Sequence, residues 1–176
     1  MVYLNITGRK DWTSTLQKPY NSFFYPSVSL SVIGSEIVKL PSAISFFKLR
    51  GSYSDISSDV NPYYTIPVYQ SGTSWAGTAS VNLPGTIISP SIHPRTTVSQ
   101  EYGAEIRLLK NRIGIDFSWF KYLEKNFPKD IPISQASGYN SIRVNADEIN
   151  RKGIELVVTG SPIRTKNLRW DITANY

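Results

Sequence analysis

The sequence predicts an all-β chain: an antiparallel up-and-down meander of about seven strands that forms an open arc of a transmembrane barrel. Three observations carry this. Apolar and polar residues alternate with period two through most of the chain, which places one set on each face of a sheet. Most alternating segments reach the roughly 9 to 11 residues that a tilted strand needs to cross an apolar layer. The connectors alternate between long and short, so that long loops gather at one end of the sheet and tight turns at the other.

The first segment, residues 2–15, sets Val2, Leu4, Ile6, Gly8 and Trp12 against Tyr3, Asn5, Thr7, Arg9, Asp11 and Thr13, with Lys10 as the single charge on the apolar side. That position near Trp12 predicts an ammonium that snorkels toward the outer interface, where a charge costs about 0 to 1 kcal/mol against about 2 to 4 at the midplane. Residues 24–35 alternate Phe24, Pro26, Val28, Leu30 and Val32 with a series of serines, and residues 47–54 alternate Phe47, Leu49, Gly51 and Tyr53 with Lys48, Arg50, Ser52 and Ser54. A short helical turn is expected at residues 40–44, with Pro41 near its start.

Two hairpins follow. Val98, Tyr102, Ala104, Ile106 and Leu108 turn at Lys110, Asn111 and Arg112 into Ile113, Ile115, Phe117 and Trp119. Ile154, Leu156 and Val158 then turn through residues 161–167 into Leu168, Trp170, Ile172, Ala174 and Tyr176, an alternation still running at the last residue and therefore calling for a further partner strand. The long connectors are residues 59–95 and 127–147, with residues 16–22 at the same end. Trp12, Phe23, Phe24, Tyr25, Trp119 and Tyr122 fall near strand ends, where aromatic girdles belong.

Composition narrows the function classes. The 176 residues carry a formal net charge of +6 but scatter it singly among acids, as in Arg9 and Asp11 or Glu105 and Arg107. Nucleic-acid binders gather charge on one face, so that partner is not expected. There are no cysteines and one histidine, His93, which makes no metal set and reads as a solvated loop residue. Asp147 with Glu148, and Asp55 with Asp59, lack the spacing of a calcium loop. No phosphate-binding or nucleophile-elbow motif occurs, so no catalytic residue and no cofactor are assigned. The inward charges, among them Arg50, Asp116, Glu155, Arg169 and Asp171, read as a watery wall held by cross-strand ion pairs.

The stretches GRKDWTSTL, FFYPSVSLSVIGSE, ISFFKLRGSYSDISSD, TTVSQEYGAEIRLLKNRIGIDFSWFK and the long run from ISQASGYN to DITANY resemble, in order, the C-terminal half of the barrel in SusC/RagA-type TonB-dependent transporters. ASGY at residues 136–139 and KGIEL at residues 152–156 are the sharpest of these segments. The resemblance implies a Bacteroidetes-type outer-membrane transporter with an N-terminal plug and a TonB box, importing oligosaccharide or peptide beneath a SusD-like surface lipoprotein. Residues 1–176 would be part of its barrel domain, in contact with outer-membrane lipid, with the plug, the TonB-engaging segment and both ends of the barrel absent.

Within the longest connector, Tyr63, Tyr64, Tyr69 and Trp75 sit among Pro, Gly and Ser. Flat rings exposed on a loop stack on sugar faces or pack on a partner protein. These four residues are the candidate ligand- or partner-contacting set. The alternative from another class is a soluble β-sandwich carbohydrate-binding module, which requires two packed sheets.

Overall fold

The computed structural model describes all 176 residues. Seven long or moderate strands form one sheet: β1 (Val2–Trp12), β2 (Ser22–Ile33), β3 (Ile44–Ser58), β7 (Arg95–Leu108), β8 (Ile113–Pro132), β9 (Ser141–Arg164) and β10 (Arg169–Asn175). Their spatial order follows the chain, and every neighbouring pair along that path is antiparallel. Three short strands belong to the longest connector, β4 (Gln70–Ser71), β5 (Val81–Asn82) and β6 (Thr86–Ile88). The expected meander is therefore present as a single open sheet edged by β1 and β10. No second sheet packs on it, and the β-sandwich alternative falls.

Register turns the alternation into rows. Leu4, Leu30, Gly51, Tyr102, Trp119 and Ile154 lie side by side across six strands, and Val2, Val32, Leu49, Ala104, Phe117 and Leu156 form the next row of the same parity. These rows face outward without cover: Leu4, Ile6, Leu30, Leu49, Tyr102, Phe117 and Ile154 are all exposed. Only six of the 176 residues are buried, so neither face packs against a second layer as a soluble sheet must. A lipid-facing surface needs no such cover.

The opposite face carries the ion pairs. Arg9 meets Asp11 at 2.8 Å, Arg107 meets Glu105 at 2.7 Å and Arg169 meets Asp171 at 2.7 Å, each within one strand at a spacing of two residues. These three pairs run along a strand, because residues i and i+2 share a face, while the expected cross-strand pairing is present at Arg50, Glu124, Lys129 and Arg143. Arg50 is different: its guanidinium crosses β7 to reach Asp116 on β8. Lys48 and Glu155 make no ion pair.

Several sequence expectations are corrected. The connector expected over residues 127–147 is largely strand, since β8 and β9 stay paired to Pro132 and Ser141 and leave only residues 133–140 as the link. Bulges between Glu124 and Pro128, with Asn126 at a φ of 61°, break the alternation there. Beyond them, Lys129 with Asp147 and Arg143 with Asp130 hold the hairpin across its strands. The helical turn forms at Gly34–Glu36, not at 40–44; Pro41 instead accepts a turn hydrogen bond from the Ile44 amide. Trp12 and Phe24 are exposed on the apolar side, but Tyr25 points to the charged face, where its hydroxyl donates to Asp11. Trp119 lies mid-strand, stacked on Tyr102 at 5.8 Å.

Candidate functional site

At the long-connector end the chain builds what the sheet lacks, a small buried core. Leu16 from the β1–β2 link and Ile92 and Thr65 from the β3–β7 connector are buried. The Thr65 hydroxyl donates to the Thr15 carbonyl at 2.8 Å, and Thr13 and Thr15 both donate to Asp59. Asp59 is thus a fastening between two connectors. The hydrogen bonds matter because main-chain groups removed from water need partners.

The β8–β9 hairpin is fastened to the same cap. Asn145 accepts from the His93 amide at 2.8 Å and donates to the His93 and Asn126 carbonyls at 3.1 and 2.6 Å. β6 adds to β9 in parallel, Thr86 to Ile88 beside Ser141 to Arg143. His93 is accordingly not the solvated loop residue expected; it is half-buried, with its ring 4.0 Å from that of Tyr20. Below the cap, Glu124 is buried between Arg95 and Arg151, a clamp that joins β7, β8 and β9 on the charged face.

The four candidate aromatics separate on this frame. Tyr64 is half-buried: Arg143 stacks on its ring at 3.8 Å and donates to its carbonyl at 2.8 Å. The same guanidinium grips Asp130 with two hydrogen bonds of 2.7 and 2.9 Å, which hold the Asp130 carboxyl below the usual carboxylate range. Tyr63, at a φ of 64°, is 73 % exposed, Tyr69 is 67 % exposed and Trp75 is 82 % exposed. Trp75 lies at the tip of the β4–β5 ribbon, bridged to Thr78. Ile66, Val68, Val81 and Leu83 of the same connector are also exposed, so with three of the four rings the connector presents uncovered apolar surface. Such a surface favours stacking and burial against an incoming flat or apolar group.

The aromatics are legible in the sequence, but their anchors, Leu16, Thr65, Ile92, Arg143 and Asn145, are not. The only local signal was the spacing of apolar residues in otherwise polar connectors.

The model of the TonB dependent receptor-like β-barrel family matches residues 2–176. The chain belongs to that family. Among similar proteins are TonB-dependent receptor P39 of Formosa agariphila, 25% identical over 157 residues, and TonB-dependent receptor P26 of the same organism, 25% identical over 175 residues. These alignments cover 86% and 97% of this chain but 15% and 18% of the relatives, so the chain spans less than a fifth of their length. Among solved structures, the RagAB peptide importer in its closed-closed state superposes with a TM-score of 0.84 at 17% identity, covering 99% of this chain and 19% of that one. The siderophore receptor PirA from Pseudomonas aeruginosa gives 0.52 at 16% identity, covering 90% and 28%. At these identities the structural likeness establishes the fold: this stretch of a TonB-dependent receptor barrel is a wall, with an apolar exterior, a charged interior and a fastened loop cap.

Proposed function

We propose that the chain is a wall segment of an outer-membrane TonB-dependent importer, whose plug, TonB-engaging segment and remaining strands lie outside residues 1–176. The loop-cap end faces outward and takes part in capturing an oligomeric nutrient, oligosaccharide or peptide, or in seating a SusD-like lipoprotein lid. The observation that carries this reading is the family match over the whole described sheet, joined to a cap that leaves Tyr63, Tyr69 and Trp75 uncovered. A barrel wall exposes apolar side chains to lipid, whereas rings beyond the wall gain by burial against a ligand or partner. In this reading the wall has no catalytic role and no cofactor. Its charged face lines the path or docks the plug.

The test is uptake of labelled oligosaccharides and peptides by cells carrying the intact receptor, with and without a proton uncoupler, together with co-purification of the lipoprotein. Alanine at Tyr63, Tyr69 and Trp75 should weaken capture or lid association while the barrel remains inserted. Wild-type levels of both would remove the aromatic surface from function. Uptake insensitive to the uncoupler would remove the TonB-dependent reading.

A further inference from the structure

The short-turn end has a feature that the capture of nutrient does not use. On the apolar face, Ile113 of β8, Gly160 of β9 and Ile172 of β10 occupy one register row. Gly160 leaves a notch between the two isoleucines. A Cβ placed there would meet nothing within 4 Å, and its φ is not one that side chains avoid. The notch opens into a groove of about 430 Å³ with Val158 and Ala174 on its walls, a volume within the roughly 300 to 1,000 Å³ of small-ligand sites.

At the turn end of this groove stands Arg112. Its main chain is fixed, the amide donating to the Leu108 carbonyl and the carbonyl accepting from the Ser161 amide at 2.8 Å. Its guanidinium makes no ion pair, in contrast to Arg107 and Arg169 nearby, which hold Glu105 and Asp171. Lys110 on the same turn and Lys166 on the next are also without ion pairs, and residues 108–113 and 161–168 contain no acid; Arg164 faces Asp171 on the charged side, where Glu105 and Asp116 also lie. Trp170 lies beyond Ile172 toward the turn and is exposed, a residue type that settles at headgroup level.

We propose that this groove binds one anionic phospholipid, with an acyl chain lying over Gly160 and the phosphate on Arg112. An apolar trough that ends at Arg112, a guanidinium without an ion pair, matches the two parts of such a molecule. Each cation near an anionic headgroup contributes about 1 kcal/mol. A zwitterionic lipid brings its own ammonium to the Arg112 guanidinium and is the weaker occupant. The inference rests on the reading of this sheet as a membrane wall with its short turns at one leaflet.

The test is native mass spectrometry of the intact receptor in detergent, with phosphatidylglycerol or phosphatidylethanolamine added, on wild type, Arg112→Gln and Gly160→Leu. Wild type should retain phosphatidylglycerol preferentially. Arg112→Gln should lose about fivefold of that preference, and Gly160→Leu, which fills the notch, should hold one fewer lipid of either kind. An unchanged preference in Arg112→Gln, or unchanged lipid number in Gly160→Leu, overturns the site. Heat-modifiable migration of the same samples reports separately on the barrel: its loss in wild type counts against the membrane wall itself. Should Gly160→Leu alone fail to fold, Arg112→Gln decides, because the Arg112 side chain makes no ion pair or hydrogen bond within the sheet.

Discussion

Arg50 on β3 holds Asp116 on β8 with hydrogen bonds of 3.1 and 2.8 Å, although β7 runs between their strands. The reach is possible because the intervening residue is Gly103, buried beneath the guanidinium. A Cβ there would stand 2.6 Å from Arg50 Nε and 2.7 Å from its Cζ. Ser118, also buried, accepts a third hydrogen bond from Arg50 at 2.6 Å. Gly103→Leu should therefore displace Arg50, leave Asp116 and Ser118 without their donor, and destabilise the barrel by about 1 to 3 kcal/mol. Arg50→Ala should cost a similar amount, and the double variant little more than either, because both remove one interaction. Urea unfolding of the intact receptor in lipid measures all three. Additive losses would show that Gly103 acts independently of Arg50.

Asn145 satisfies three main-chain groups, two at His93 in the β3–β7 connector and one at Asn126 in the β8 bulge, and so ties the connector to the hairpin. Asn145→Ala should release residues 89–94, raising their amide exchange by about tenfold, the equivalent of one hydrogen-bonded contact of roughly 1.4 kcal/mol. Asn145→Asp keeps the acceptor for the His93 amide but sets a carboxylate oxygen against the His93 and Asn126 carbonyls, and should release the segment at least as much as alanine does. Exchange in β1 to β3 should not change, since these strands are held by their own ladder.

Much of the wall was legible because its signal is local. Alternation along residues 2–12, 24–33 and 98–119 directly encodes which side chains meet lipid, and the structure keeps those faces. The β8–β9 extension was not legible, because the bulges at residues 124–128 reverse the parity and Pro128 and Pro132 read as strand breakers. The cap was invisible for another reason. Leu16, Thr65 and Ile92 are far apart in the chain, and their burial depends on connectors whose meeting no local pattern encodes. Tyr63 and Tyr64 make the same point at adjacent positions: one is exposed and the other lies under Arg143, a partner 79 residues away.

The Asp130 and Arg143 pair gives the cap a pH dependence whose sign follows from the depressed carboxyl. Because Arg143 lowers the folded-state value of Asp130 below the unfolded one, the pair contributes fully above the ordinary carboxylate value of about 3.9. It is lost as the pH falls through the depressed value. At pH 6, Asp130→Asn should speed amide exchange around residues 64–66 and 141–143 relative to wild type. As the pH falls through that depressed value the two proteins should converge, because wild type then becomes protonated at Asp130 as well. A difference that stays undiminished as acidification protonates Asp130 would mean that the aspartate acts through packing and not through its charge.

Tyr64 and Trp75 should separate anchoring from capture. Tyr64 lies against the Arg143 guanidinium, which also binds its carbonyl and Asp130. Tyr64→Ala therefore removes a cation–π contact of about 0.5 to 2 kcal/mol and should loosen the connector, with faster exchange at Thr65 and its neighbours. Any loss of uptake would then follow from disorder. Trp75 makes only a main-chain bridge to Thr78, and its side chain is almost wholly exposed, so Trp75→Ala should leave stability and exchange unchanged. If its ring is a hot spot for nutrient or lid, binding should weaken by about 2 kcal/mol or more, close to thirtyfold. Binding of labelled oligosaccharide, peptide and lipoprotein to the intact receptor distinguishes the two variants. Equal binding by wild type and Trp75→Ala, with exchange unchanged in both, would assign the ribbon tip no part in capture and leave Tyr63 and Tyr69 as the rings to examine.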